Sequence, residues 1–398
     1  MMRQLIAALA LFALSACAGM VPGGRPPLDT GAVSQPPPLI ADSAIAAGLA
    51  PGPPLSSLAL GEGDAAGALS AFTASCDKIL FRDDASGLTR RTDWQAPCGA
   101  ARSWTRPARE FFAAQFETAI VGDGQAFATG YFEPEIAGSR VPAPGYAVPV
   151  YAMPADLVRG WPDDIPVAER TGRPPLGRLD SAGRFVPYFE RSEIEAGALA
   201  GRGLEIAWAA DPIEFFFLQI QGSGLLRLPD GTRMRIGYAG QNGREYVGIG
   251  AVMRERGLIG DGPGQYPGSM QGIIRYLREH PEEGAELMRL NKSWIFFREL
   301  TTDGPLGSLE IPVRRGDSVA VDPKFVPYGA PVVLDLDRDV ADGLWIAQDT
   351  GGAIKGANRF DTFWGNGDDA REIAGGMSGR GRAVLLLPKG TLARLRSR

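Results

Sequence analysis

Between Ser293 and Leu387 one pattern recurs: a short apolar run, then a turn rich in glycine, proline, asparagine or aspartate. The runs are Ser293–Leu300, Ser318–Val321, Pro331–Leu336, Leu344–Gln348 and Ala383–Leu387. Their length and their turn boundaries read as strands. Upstream, Leu225–Leu228 and Met234–Tyr238 flank Pro229-Asp230-Gly231-Thr232, which carries the Asp-Gly signature of a hairpin. Such a chain must satisfy its backbone by pairing strands, so a sheet-based core is expected and a long helical bundle is excluded. The 53 glycines and 32 prolines, about a fifth of the 398 residues, agree with that. A hydrophobic content of 44% supplies cores for two or three domains.

Helical signals are fewer. Arg109–Ile120 sets Phe112, Phe116 and Ile120 four apart on one face. Ser192-Glu193-Ile194-Glu195 reads as a capping box, and Asp211-Pro212-Ile213-Glu214 as a second helix start with proline at the first helical position. Ser269 caps a segment carrying Ile273, Ile274 and Leu277, which Pro281 interrupts.

The rarest residue limits the chemistry. His280 is the only histidine, so Ser-His-Asp catalysis could use no other and a zinc site built from several histidines is excluded. It stands at a helix end beside Glu279, Glu282 and Glu283, the setting of a solvated cap. There is no phosphate-loop pattern. With 41 basic against 46 acidic residues, a net −5, the chain has no electrostatic reason to seek nucleic acid. Carboxylates, hydroxyls, amides or backbone must do the work, and neither metal nor cofactor is expected.

Near the start, Arg3 precedes an apolar run, Leu5–Leu14, of signal-peptide length. It ends in Leu14-Ser15-Ala16-Cys17, similar to a bacterial lipobox. Residues 1–16 then form a lipoprotein signal peptide, and 17–57 the lipid-bearing Cys17 with a tether holding nine prolines between Pro22 and Pro54. Ala18 after the cysteine favours the periplasmic face of the outer membrane. Cys76 and Cys98 remain, an even pair in an oxidising compartment and so expected to be bridged.

Three aspartates punctuate the C-terminal strands: Asp322 in Val321-Asp322-Pro323, Asp349 in Gln348-Asp349-Thr350-Gly351-Gly352, and Asp361 in Arg359-Phe360-Asp361. Each ends an apolar run, where side chains can converge on one rim. A carboxyl beside Phe360, Phe363 and Trp364 would be partly desolvated, which keeps it protonated near neutrality as a general acid must be. Turn capping is the ordinary use of Asp before Thr-Gly or Pro, and on composition alone it outweighs catalysis. Asp349-Thr350-Gly351 also matches an aspartic-protease signature, but such enzymes need a second copy and only one occurs.

Four longer blocks decide between these readings. They are Thr129-Gly130-Tyr131-Phe132-Glu133-Pro134-Glu135, Phe216–Gly224 with its Gln219-Ile220-Gln221-Gly222-Ser223, Gly237–Tyr246, and Asp349–Gly356 followed by Phe360-Asp361. In them the chain resembles the membrane-bound lytic murein transglycosylase A family, with its C-terminal three-aspartate domain, from about Leu58 to Pro388. The resemblance implies a mainly β fold with some α. A double-psi β-barrel domain, 58–133 plus 304–398, would be interrupted by a β-rich substrate-binding domain, 134–303, with a groove between them. It implies cleavage of the MurNAc–GlcNAc β-1,4 bond of peptidoglycan without water, leaving 1,6-anhydro ends. Asp361 would be acid and then base, supported by Asp349 and Asp322. Thr129, Gly130, Tyr131, Gln219, Gln221, Gly222 and Ser223 would bind sugar, and Lys355 and Arg359 would meet carboxylates. The implied partners are glycan strands and the lipid anchor, for a monomer. A non-catalytic glycan-binding lipoprotein and a two-carboxylate hydrolase are the rivals.

Overall fold

The structure is a computed structural model that describes residues 41–58 and 60–397. Cys17, the signal segment 1–16 and the tether as far as Ile40 lie outside the described residues.

An eight-stranded sheet runs in the order Leu49–Pro51, Phe116–Val121, Ser378–Pro388, Pro331–Leu336, Gly343–Asp349, Ser318–Val321, Arg359–Asn366 and Gln125–Glu133. The long strand Ser378–Pro388 serves twice, because its first half also pairs with Gln125–Glu133, Ser378 opposite Thr129 and Arg382 opposite Gln125. A six-stranded sheet holds Ile295–Leu300, Arg233–Gln241, Ser223–Arg227, Glu135–Ser139, Glu205–Ala209 and Val148–Tyr151, in that order. Val158–Arg159, Leu176–Leu179 and Phe185–Pro187 make a small third sheet. The chain therefore leaves the first sheet at Glu133, builds the second, and returns after Leu300.

Local chemistry accounts for the elements. Asp230 accepts from the Thr232 backbone at 2.9 Å and closes the hairpin that sets Leu226 opposite Met234. Asp211 caps Pro212–Gln221 by accepting from Ile213 and Glu214 backbone N–H groups at 2.8 and 3.2 Å. Helices Glu62–Ile79, Gln95–Ala101 and Ala108–Gln115 pack on the first sheet, where Phe72 and Phe111 of the helices and Trp94 just before the second meet Phe116 of the sheet. Phe72 lies 5.6 Å from Phe111 and 5.5 Å from Phe116 between ring centroids, pairs worth about 0.5–1.5 kcal/mol each beyond their burial. A disulfide joins Cys76 to Cys98 across the first two of these helices, with Cα atoms 5.6 Å apart.

Several sequence expectations need correction. Helix and strand occur in roughly equal measure among the described residues, so the fold is mixed α/β and not mainly β. The C-terminal region contains the helices Asp368–Gly376 and Thr391–Arg396. The helix expected over 109–120 stops at Gln115, because Phe116–Val121 is held as a strand against Leu385–Pro388. The cap expected at Ser192 is Glu190, whose backbone N–H donates to Glu193 at 2.7 Å while the Ser192 hydroxyl donates to Glu190. The expected tether reached too far. Residues 41–57 belong to the folded body: Ala44 is fully buried, and Leu49–Pro51 pairs with Ala119–Val121. Prolines are tolerated there because the strand is at the sheet edge.

One buried ion pair ties together the two places where the chain changes sheets. Glu133 is 1% exposed and receives Arg235 through Nε at 2.7 Å and Nη2 at 3.2 Å. The third guanidinium nitrogen donates to the Thr302 carbonyl at 2.6 Å, on the returning segment. Removing one partner leaves a buried charge uncompensated. Arg235→Met should therefore lower unfolding free energy by about 3 kcal/mol. Glu133→Leu combined with Arg235→Met should recover most of that loss in urea melts.

Candidate active site

Four strands place one residue each in a single row. Thr129 is opposite Asp361, Asp361 opposite Ala320, and Ala320 opposite Asp349. Residues in register across adjacent strands share a face, so both carboxyls project to the same side with only an alanine between them. Asp349 owes its place to a bulge. Val319 pairs with Ala347, yet the next residue, Ala320, pairs with Asp349, so Gln348 is skipped. Gln348 turns inward instead, donating to the Ala71 carbonyl at 2.8 Å and the Ser75 hydroxyl at 2.9 Å on the first long helix.

The two carboxyls are held differently. Asp349 Oδ1 accepts from the Ser308 backbone and hydroxyl, each at 2.9 Å, and from the Thr350 backbone at 2.8 Å. Its Oδ2 accepts from the Tyr131 hydroxyl at 3.0 Å. Burial pushes its pKa up and these donors pull it back. Among the described residues Asp361 has one donor, the Thr129 hydroxyl, 2.5 Å from Oδ1. Burial, countered by that hydrogen bond and by the Arg359 charge and reinforced by the Asp349 charge, pushes the Asp361 pKa up to about 6. Arg359 Nη2 in turn donates to Thr129 Oγ1 at 2.9 Å. Arginine cannot accept, so the threonine proton is directed to Oδ1 and the acid proton of neutral Asp361 is left to Oδ2.

The row opens into a cavity of about 410 Å³ lined by residues from both large sheets. Asp349, Asp361, Tyr131, Gln219, Gln221, Gly222, Ser223 and Lys355 line it; Thr129, Gly130, Arg359 and Asp322 do not. Thr129 and Arg359 act on Asp361 from behind. Gly130 faces the helix Asp368–Gly376, where a Cβ would come within 2.9 Å of Ala374 Cα, so its smallness serves packing. Gly222 does reach the cavity, with a φ of +80° that ends the helix Pro212–Gln221. Gln219 accepts from buried Arg191 at 2.7 Å, and Gln221 accepts from the Phe132 backbone at 3.0 Å. Both glutamines thus fix the wall they belong to. Asp322 is a turn clamp: it accepts from the Lys324 and Gly356 backbone at 3.1 and 2.9 Å, and pins the loop after Asp349.

Among the lining residues that sequence reasoning missed, three bear on the polar groups of the site. Tyr246 lies near Asp361, its phenol pushed up by burial and by that carboxylate; it closes the Gly237–Tyr246 block without having been singled out. Arg191 is 2% exposed, donates to the Asn291 and Ser293 carbonyls at 2.8 and 2.7 Å, and has its pKa pushed down to about 10 by burial. Ser308 sits in a connecting segment that carries no motif.

The Asp361 pKa fixes a stability prediction. Below about pH 3 the carboxyl is neutral in both folded and unfolded chains; above about 6 the folded state holds a charge that water would solvate better. Asp361→Asn should therefore melt like the parent below about pH 3 and be more stable near pH 7, by about 1–2 kcal/mol. Thr129→Val, which removes the one donor, should raise the Asp361 pKa further, read from the carboxyl carbon by NMR titration.

Comparison with known proteins places these elements in a family. The MltA specific insert domain matches residues 127–298 and the 3D domain matches 317–387. Membrane-bound lytic murein transglycosylase A of Vibrio cholerae is 31% identical over 263 residues, 63% of this chain and 62% of the relative. The Escherichia coli K12 protein of that name is 30% identical over 269 residues, 65% of this chain and 64% of its own. The chain thus spans slightly under two thirds of these relatives. Among solved structures, a membrane-bound lytic murein transglycosylase from Agrobacterium tumefaciens superposes with a TM-score of 0.76 at 29% identity, covering 88% of this chain and 99% of that one. MltA from Neisseria gonorrhoeae gives 0.68 at 34%, covering 86% and 92%. E. coli MltA with bound chitohexaose gives 0.57 at 26%, covering 80% and 90%. This chain belongs to the membrane-bound lytic murein transglycosylase A family.

Proposed function

We propose that this chain is a lytic transglycosylase that cleaves the MurNAc–GlcNAc β-1,4 bond of peptidoglycan, with Asp361 as its acid and then its base. The observation that carries this reading is the contrast between the two aspartates of the row. Asp361 has a pKa near 6 and a free Oδ2, whereas four hydrogen bonds occupy Asp349. The third carboxylate lining the cavity, Glu310, is paired with Arg298 at 2.7 Å. One proton donor is therefore available, which a hydrolase with two working carboxyls would find insufficient.

The steps balance without water. Oδ2 of neutral Asp361 gives its proton to the glycosidic oxygen as the bond to C1 of the muramic sugar breaks, leaving an oxocarbenium-like centre. The new carboxylate takes the proton of the C6 hydroxyl of the same sugar, and that oxygen bonds to C1. Asp361 ends neutral and the product is a 1,6-anhydro ring. Asp349 raises the proton affinity of Asp361 by its charge, and Tyr131, Gln221 and Ser223 orient the sugars.

In this reading residues 41–133 and 304–397 form a double-psi β-barrel with the insert between. In support, pairing passes from Ser378–Pro388 through Pro331–Leu336, Gly343–Asp349, Ser318–Val321, Arg359–Asn366 and Gln125–Glu133 and back to Ser378–Pro388. Lipid on Cys17 would hold the enzyme at the periplasmic face of the outer membrane. The relatives are named as membrane-bound, and no helix among the described residues is long and apolar enough to cross a membrane.

Mass spectrometry of murein digests tests the chemistry. Fragments should carry muramic ends one water lighter than reducing ends; reducing ends would mean a hydrolase, and no fragments a binding protein. Asp361→Asn should lower turnover by at least about 10³-fold. The acid must be protonated before each cut, so kcat should fall as pH rises through about 6.

A further inference from the structure

At its outer end the groove runs past Tyr238, which lines the cavity and is 48% exposed. A bulge between Tyr238 and Gly240, against Ile295–Leu300, re-aims this stretch of strand. The small three-stranded sheet packs beside it. A Cβ on Gly243 would come within 2.5 Å of Leu176, and one on Gly240 within 2.7 Å of the Met153 sulfur. Leu176 pairs with Arg159, whose Nη1 donates to the Pro174 carbonyl at 2.7 Å, next to Arg173. Both arginines are exposed, and each lies close enough for its charge to act on the Tyr238 phenol. Arg173 also lies close enough to act on Arg159. Among the described residues neither is in an ion pair, whereas Arg184 and Arg202 nearby are paired with Asp180 and Asp156. Two like charges held together without a counter-ion beside an open aromatic face are the makings of a site for an anionic saccharide.

Resting on the function proposed above, we infer that Tyr238, Arg159 and Arg173 form an outer subsite that reads a carboxylate carried by the glycan strand. The tyrosine ring supports a sugar and the guanidinium groups take the acid group. That carboxylate can belong to a stem peptide or to the lactyl group of a peptide-free strand.

The test compares three ligands on the full chain: peptide-bearing strands, peptide-free strands with free lactyl carboxylates, and uncharged chitohexaose. Binding is measured with Asp361→Asn and KM with the active enzyme. Combining Arg159→Gln and Arg173→Gln should weaken the carboxylate-bearing strands about tenfold, through KM and not kcat, and flatten their salt dependence. Chitohexaose affinity should hold within about twofold, and Arg159→Lys with Arg173→Lys should restore most of the loss. The peptide-bearing and peptide-free arms show which source of carboxylate is read. Equal losses on all three ligands, or no loss on any, would overturn the inference while leaving the proposed function intact. A parent enzyme that cuts no strand would overturn that function, and this subsite with it.

Discussion

One extra residue in the strand Gly343–Asp349 decides what the groove contains. Side chains alternate along a strand, so a shift of one residue exchanges what faces the groove for what faces the core. Without the bulge opposite Val319–Ala320, Gln348 and not Asp349 would stand beside Ala320. Instead Gln348 is fully buried and fastened to the helix Glu62–Ile79, and Asp349 joins the row with Asp361 and Thr129. The helix can lie that close because Ala65, Ala68 and Ala71 stand on its buried face beside Phe72 and Ser75. The sheet register thus depends on small residues in a helix more than 270 positions away in the chain.

The same row shows how one environment makes two different acids. Both aspartates are desolvated, which alone would raise both pKa values. Backbone N–H groups from Ser308 and Thr350 can only donate, so they favour the charged form of Asp349 against the burial that raises its pKa. Asp361 meets a single hydroxyl whose orientation Arg359 dictates, and burial pushes its pKa up to about 6. The difference lies in the number of donors and not in the residue type or depth. Ala320 matters for what it lacks, since a larger side chain between the carboxyls would fill part of the cavity they line.

Much of this could be read in the chain, and the limits are physical. The strands from Ser318 onwards and the Asp-Gly hairpin follow from local pattern, because periodicity and turn chemistry are encoded within a few residues. The helix overrun at Phe116 came from pattern alone, since Phe112, Phe116 and Ile120 keep helical spacing while partners at Leu385–Pro388 hold the backbone extended. The early strand Leu49–Pro51 was hidden among prolines that resemble a tether. Among site residues, the motif blocks yielded the two aspartates and most of the wall. Residues acting through long-range hydrogen bonds stand outside the cavity wall: Thr129 and Arg359 reach Asp361 from behind, and Asp322 clamps a loop. Ser308 and Arg191 left no signal, because a single donor meeting a carboxylate or carbonyl from a distant segment has no sequence period.

The arrangement of the insert explains how an open groove can hold so exact an alignment. Its walls come from two sheets with separate apolar cores; Met270 of the insert packs against the first, and holding the crossings in register is a further task. That task falls to polar contacts at the crossings. Arg235 joins Glu133 on the outgoing segment to Thr302 on the returning one, and Gln221 reaches from its helix end to the Phe132 backbone. Directional bonds suit this better than apolar packing, because they resist sliding as well as separation. An ion pair in this position costs desolvation that a pair of leucines would avoid. Its benefit is geometric, since Thr129 and Glu133 share a strand, and the residue that orients Asp361 lies four positions from the clamp that sets the opposite wall.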